Sequence, residues 1–146
     1  MKVTEALDAR GHRRIRAVHP KTFEFTKEPY LTWRGDCIIG VKASKAASDL
    51  SDEFKAAVRN MNTIVHVRME VEGVIDEAAG WGHILLSCTD AKSLVARRSG
   101  YTCGRTLMIY SNKAARDLSR TLVDLMRNPK ARMEITLTAE SEENHG

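Results

Sequence analysis

The chain is poor in the residues that most often announce chemistry. Aromatic side chains make up 5% of its 146 residues, and there are only three cysteines and three prolines. Cys37, Cys88 and Cys103 are odd in number, widely spaced and without a Cys-x-x-Cys pair, which argues against a disulfide framework and against a structural zinc site. No apolar run is long enough to span a bilayer, and residues 1–5 lack an apolar leader segment. The expectation is therefore a cytoplasmic protein with no membrane partner. There is no Gly-x-Ser-x-Gly elbow and no His-x-x-x-His pair, so neither a serine nucleophile nor a helical metal site is indicated. Gly80-Trp81-Gly82-His83 has glycines but lacks the lysine and following helix that cradle a phosphate. His12 and His83 each follow a glycine and, with His19 or His66, are the only metal-site candidates. Without short local ligand pairs the expectation is no metal and no cofactor. Whether the chain is an enzyme stays open.

What the chain does have is internal repetition. Residues 45–60, KAASDLSDEFKAAVRN, return as residues 113–128, KAARDLSRTLVDLMRN, with eight of sixteen positions identical at an offset of 68. Upstream, an offset of 71 aligns Val3 with Val74, Gly11 and His12 with Gly82 and His83, and Lys21, Thr22 and Phe23 with Lys92, Ser93 and Leu94. One loop shortened by three residues reconciles the two offsets, and a surface loop is where an indel costs least. Downstream, Val65, Val67 and Met69 align with Met133, Ile135 and Leu137 in one alternating phase, as two strands burying the same face require. A repeated chain is expected to pack as two matching halves about a pseudo-two-fold axis.

Hydrophobic residues at 42% and charged residues at 29% describe an ordinary folded protein, and the length suits one domain with a sizeable core. Strand character at 13–18 and 21–27 around His19-Pro20 predicts a hairpin, and residues 37–41 predict a short apolar strand. Ser44 and Asn112 are the expected N-caps of two helices whose stripes carry Leu50, Phe54, Leu118 and Leu122. Asn60 and Asn128 are expected to stop those helices in the left-handed conformation. The reading is an α+β, mainly antiparallel β fold, sandwich or barrel-like, built from two pseudo-symmetric β-rich repeats each carrying one helix. A single domain spans 1–146, with repeats at about 1–72 and 73–139 and a flexible acidic tail at 140–146.

The runs His19-Pro20-Lys21-Thr22-Phe23-Glu24-Phe25-Thr26-Lys27-Glu28 and Arg34-Gly35-Asp36-Cys37-Ile38-Ile39-Gly40-Val41, with Leu31-Thr32, Arg105-Thr106-Leu107 and residues 113–118, resemble the archaeal domain-of-unknown-function family DUF 371. The resemblance covers essentially the whole chain. It implies an archaeal, cytoplasmic, mainly β domain and brings no functional residues with it.

Two classes of function fit the side chains. On a strand from Lys21, alternation places Thr22, Glu24, Thr26 and Glu28 on one face, opposite Phe23 and Phe25. This row, with His19, Asp36 and Arg105, is the candidate site for a small polar molecule at the junction of the repeats, although a solvated strand face would look the same. Cys37 leads an apolar strand and is expected to be inert. The second class is a nucleic-acid-binding module. The net charge is +4, and Arg13, Arg14 and Arg16 crowd one predicted hairpin while Arg97 and Arg98 populate its counterpart. Few aromatics and nearly balanced acids weigh against it. A scaffold without chemistry is the third possibility.

Overall fold

The computed structural model of the protein describes residues 1–31 and 34–141. The strands are β1 (Lys2–Arg10), β2 (Thr22–Thr26), β3 (Ile38–Gly40), β4 (Ile64–Val71), β5 (Val74–Trp81), β6 (Ser93–Arg97), β7 (Thr106–Met108) and β8 (Arg132–Glu140). Helix α1 (Asp52–Val58) lies between β3 and β4, and α2 (Arg120–Leu125) between β7 and β8. One sheet has the order β1-β8-β4-β5 and the other β3-β2-β6-β7. Neither closes on itself, so the architecture is a sandwich. Antiparallel pairing dominates, but β2/β3 and β6/β7 are parallel.

Period-two patterning explains the layers. In β4 and β8 the residues Val65, Val67, Met69, Met133, Ile135 and Leu137 are all buried, while their neighbours His66 and Glu134 are exposed. Phe23 and Phe25 of β2 supply the opposing side of one continuous apolar cluster. Their rings meet edge to face, with centroids 6.1 Å apart. Burial of each such side chain contributes about 1.5–3 kcal/mol. Helix α1 packs on β1 and β8, and α2 on β4 and β5.

The central strand pairs carry a simple geometric signature. In β4/β8, Arg68 faces Thr136, and in β2/β6, Glu24 faces Val95. Each of these residues faces its own sequence counterpart, which is the condition for a local two-fold relation between the central strands of both sheets. Aligned residues on the edge strands make matching bonds as well. Glu5 on β1 accepts from Lys45 Nζ at 2.7 Å and from the Ser51 amide. Asp76 on β5 accepts from Lys113 Nζ at 2.6 Å and from the Ser119 amide at 2.7 Å. Each carboxylate thus ties an edge strand to the N-cap of its helix. Burial pushes both groups up, but these donors outweigh it and hold both below their ordinary values.

Several expectations are corrected. Residues 13–18 form a loop, not a strand, so the predicted hairpin and its counterpart are absent. Ile15 and Ala17 are buried between exposed Arg14, Arg16 and Val18, an alternation that imitates a strand. The Ile15 amide instead closes a turn on the His12 carbonyl, and Ala17 has φ 51°. Each helical segment is also broken. A 3₁₀ turn, Ala47–Asp49 or Ala115–Asp117, precedes the α-helix, whose N-cap is Ser51 or Ser119. Ser44 and Asn112 instead pin the edge strands, accepting from the Asp8 and Ala79 amides at 2.9 Å. Asn60 and Asn128 are not left-handed; their side chains accept from the amides two residues on. Leu50, Phe54, Leu118 and Leu122 are buried. Of the acidic tail, residues 142–146 lie outside the described residues, as do Thr32 and Trp33 of the first long loop.

Candidate functional site

The site forms on the face of the β2/β6 pair that points away from the apolar cluster. Alternation along Thr22-Phe23-Glu24-Phe25-Thr26 sends the phenylalanines inward and the polar set outward. The antiparallel register sets Arg97 opposite Thr22, Val95 opposite Glu24 and Ser93 opposite Thr26. β3 brings Ile38 alongside Glu24, with Cys37 just before it, and β7 brings Thr106 alongside Val95.

Glu24 is the centre of this surface. Ser93 Oγ donates to its Oε2 at 3.2 Å, and Cys37 Sγ donates to its Oε1 at 3.7 Å. Burial pushes the carboxyl above its ordinary value, and that effect exceeds the opposing Ser93 bond, the charges of Arg105 and Arg97, and the Cys37 bond. Burial and the Glu24 charge push the Cys37 thiol up to about 11. A second group lies toward β7. Arg97 Nη2 approaches Cys103 Sγ at 3.3 Å, and Arg97 Nε donates to Thr106 Oγ1 at 2.9 Å. Tyr101 stacks under the guanidinium, 4.9 Å from ring centroid to carbon. Burial raises the Cys103 thiol, but the Arg105 amide, Thr106 and Arg97 outweigh it and bring it down to about 7. Within this face the Glu24 carboxyl is driven above its ordinary value and the Cys103 thiol below its own, two groups shifted in opposite directions.

The sequence candidates are distributed unevenly. His19 and Thr22 join the site's margin. His19 Nδ1 accepts from the Lys21 and Thr22 amides at 3.1 Å and lies 3.1 Å from Thr22 Oγ1, so the ring's proton is on Nε2. Arg105 is exposed beside Thr106 and acts on Glu24 through its charge. Thr26 is spent on the fold, because its hydroxyl donates to the Lys92 carbonyl and accepts from the Glu28 amide. Asp36 turns elsewhere: it pairs with Arg16 at 3.4 Å, and its carbonyl caps the amides of Val18 and His19. Among the described residues, no three His, Cys, Asp or Glu side chains converge as a metal site would require. His12 and His83 each accept a bond from the amide two residues on.

Sequence reasoning missed Ser93, Cys103 and Thr106 and valued Arg97 only as a cation. Ser93 was within reach, since it is the offset-71 counterpart of Thr22, and an antiparallel pair about a two-fold sets it beside Glu24. Arg97 and Arg98 also part company, because Arg98 pairs with Asp117 at 3.3 Å.

The chain is 44% identical over 124 residues to an uncharacterized protein of Methanocaldococcus jannaschii, a match covering 85% of this chain and 91% of that protein. No helix among the described residues is long and apolar enough to cross a membrane. The family model described as "Domain of unknown function (DUF371)" matches residues 7–140, and the chain belongs to that family.

Proposed function

We propose that the protein binds a small polar ligand on the outer face of the β2/β6 pair, where the two halves of the chain meet. The observation that carries this reading is Glu24. Its counterpart is Val95, so the fold does not require a carboxyl at this position, yet one is half-buried there between two donors. Holding an acid in such a place costs stability, and that cost is characteristic of binding and catalytic sites. Glu24 offers a ligand hydroxyl or amine the remaining acceptor capacity of its carboxylate oxygens, and Arg105 supplies a cation at the rim. The nucleic-acid alternative draws support only from Arg13, Arg14 and Arg16, since Arg97 and Arg98 are engaged elsewhere. We further propose that the two halves arose by duplication, and that the protein works in the cytoplasm, which its three free cysteines suit.

The test is a metabolite screen by thermal stabilisation, since a ligand at 100 times its Kd adds about 2.7 kcal/mol. A hit should be lost in Glu24→Val, which imports the counterpart residue, while that variant stays at least as stable as wild type at pH 7. Hits that survive Glu24→Val would overturn the reading.

A further inference from the structure

A second concave surface lies apart from Glu24. Arg13, Arg14 and Arg16 from the loop after β1, Asp36 and Arg127 line a cavity of about 510 Å³. Four arginines and one aspartate therefore line the same cavity. Arg16 pairs with Asp36 at 3.4 Å, and Arg127 pairs with Asp124 at 3.2 Å while its Nε donates to the Ile15 carbonyl. The side chains of Arg13 and Arg14 have no hydrogen-bond or ion-pair partner among the described residues.

The other half of the molecule provides an internal control. His83-Ile84-Leu85-Leu86 occupies the position of His12-Arg13-Arg14-Ile15, and its backbone is built the same way. The amides of Ile15 and Leu86 bond the carbonyls of His12 and His83, and the amides of Arg14 and Leu85 bond the respective imidazole Nδ1 atoms. Arg59 Nε donates to the Leu86 carbonyl, as Arg127 Nε does to that of Ile15. Asp36 has Gly104 as its counterpart, and both carbonyls accept the same pair of amides. The loop thus folds with aliphatic side chains where Arg13 and Arg14 stand and with no side chain where Asp36 stands. Neither the cations nor the carboxylate is needed for the architecture. Unpaired like charges gathered in a concavity repel one another, and an anionic ligand relieves that repulsion.

We propose that this crevice binds a phosphorylated small molecule that also carries a hydroxyl group. Planar guanidinium forks match phosphate oxygens in paired hydrogen bonds, and the volume is that of a small-molecule site. Asp36 is misplaced for a bare anion or a phosphate backbone, which it repels, but it accepts a hydrogen bond from a ligand hydroxyl. The site shares no residue with the Glu24 surface, so each proposal stands or fails separately.

The experiment is calorimetric titration of the full chain with glycerol 3-phosphate, with inorganic phosphate and with a single-stranded 12-mer oligonucleotide. The comparison is with R13I/R14L, which imports the counterpart residues and is expected to unfold at the wild-type temperature. Glycerol 3-phosphate should bind wild type more tightly than inorganic phosphate and lose at least tenfold in R13I/R14L. D36G, which imports the counterpart residue and removes the acceptor, should abolish the preference for glycerol 3-phosphate over inorganic phosphate. The proposal is overturned by glycerol 3-phosphate failing to bind wild type, by unchanged affinity in R13I/R14L, by an unchanged preference in D36G, or by the oligonucleotide binding tighter than both small probes.

Discussion

Aligned positions of the N-terminal and C-terminal parts of the chain make several of the same backbone contacts and differ in the side chains around them. Gly11 and Gly82 sit where any Cβ would strike carbonyl oxygens, those of Met126 and Asn128 in one case and of Val58 and Asn60 in the other. Glu5 and Asp76 hold equivalent edge strands to equivalent caps. At such positions both halves solve one physical problem with the same chemistry. Elsewhere they diverge: Glu24 against Val95, Cys37 against Arg105, Arg13-Arg14 against Ile84-Leu85. The lesson is that a half can serve as the control for its partner. What recurs serves the fold, and what differs is free to serve something else.

The largest expected effect tests the matching positions. Phe54 and Leu122 are counterparts on α1 and α2 and are both fully buried. Phe54→Ala should cost roughly 3–5 kcal/mol and Leu122→Ala roughly 2–5 kcal/mol in chemical denaturation. A shift below about 0.5 kcal/mol for either would break the equivalence of the two helices.

Smaller effects should follow at the edge-strand carboxylates. Glu5→Gln and Asp76→Asn should each cost roughly 1–3 kcal/mol at pH 7, since each leaves an amide and a lysine without their charged acceptor. Both folded-state values lie below the ordinary ones. Their stabilisation is therefore present above about pH 4, near the unfolded values, and is lost as pH falls through the lower folded ones. Urea midpoints of wild type and variants should converge below that range. A gap that persists at pH 2 would show that the bonds contribute by shape alone.

The smallest structural effect sharpens the divergence. Cys103, near 7, should react with iodoacetamide at pH 8 well before Cys37, near 11. Mass spectrometry of the alkylated chain reads the order, and Arg97→Gln should slow Cys103. Equal rates for the two thiols would remove the contrast between the two ends of the polar face.

Legibility followed the range of the interaction. The strands of Val65–Met69 and Met133–Leu137 were visible because burial on one face leaves a period of two in the sequence itself. The apolar stripe with Leu50, Phe54, Leu118 and Leu122 was visible for the same local reason. The loop at 13–18 misled because Ile15 and Ala17 bury alternately without ladder partners, and alternation alone does not say where the amides bond. Ser44 looked like a cap because its spacing was right, but its hydroxyl was claimed by the Asp8 amide on a distant strand. Thr22 and Glu24 could be placed on one face of a strand, whereas Cys103 and Thr106 come to that face only through the β6/β7 pairing.

By itself the sequence determined the apolar faces, the β-rich class and the correspondence between residues 45–60 and 113–128, because these rest on local periodicity and identity. The tertiary structure alone decided that β1 pairs with β8 across nearly the whole chain, that β3 and β7 run parallel to their neighbours, and that Glu24 faces Val95. It also decided that Arg13, Arg14 and Arg16 share a cavity with Arg127 while Arg97 and Arg98 do not. Such decisions depend on which distant segments meet, and that is set by the joint packing of two sheets rather than by any local run of residues.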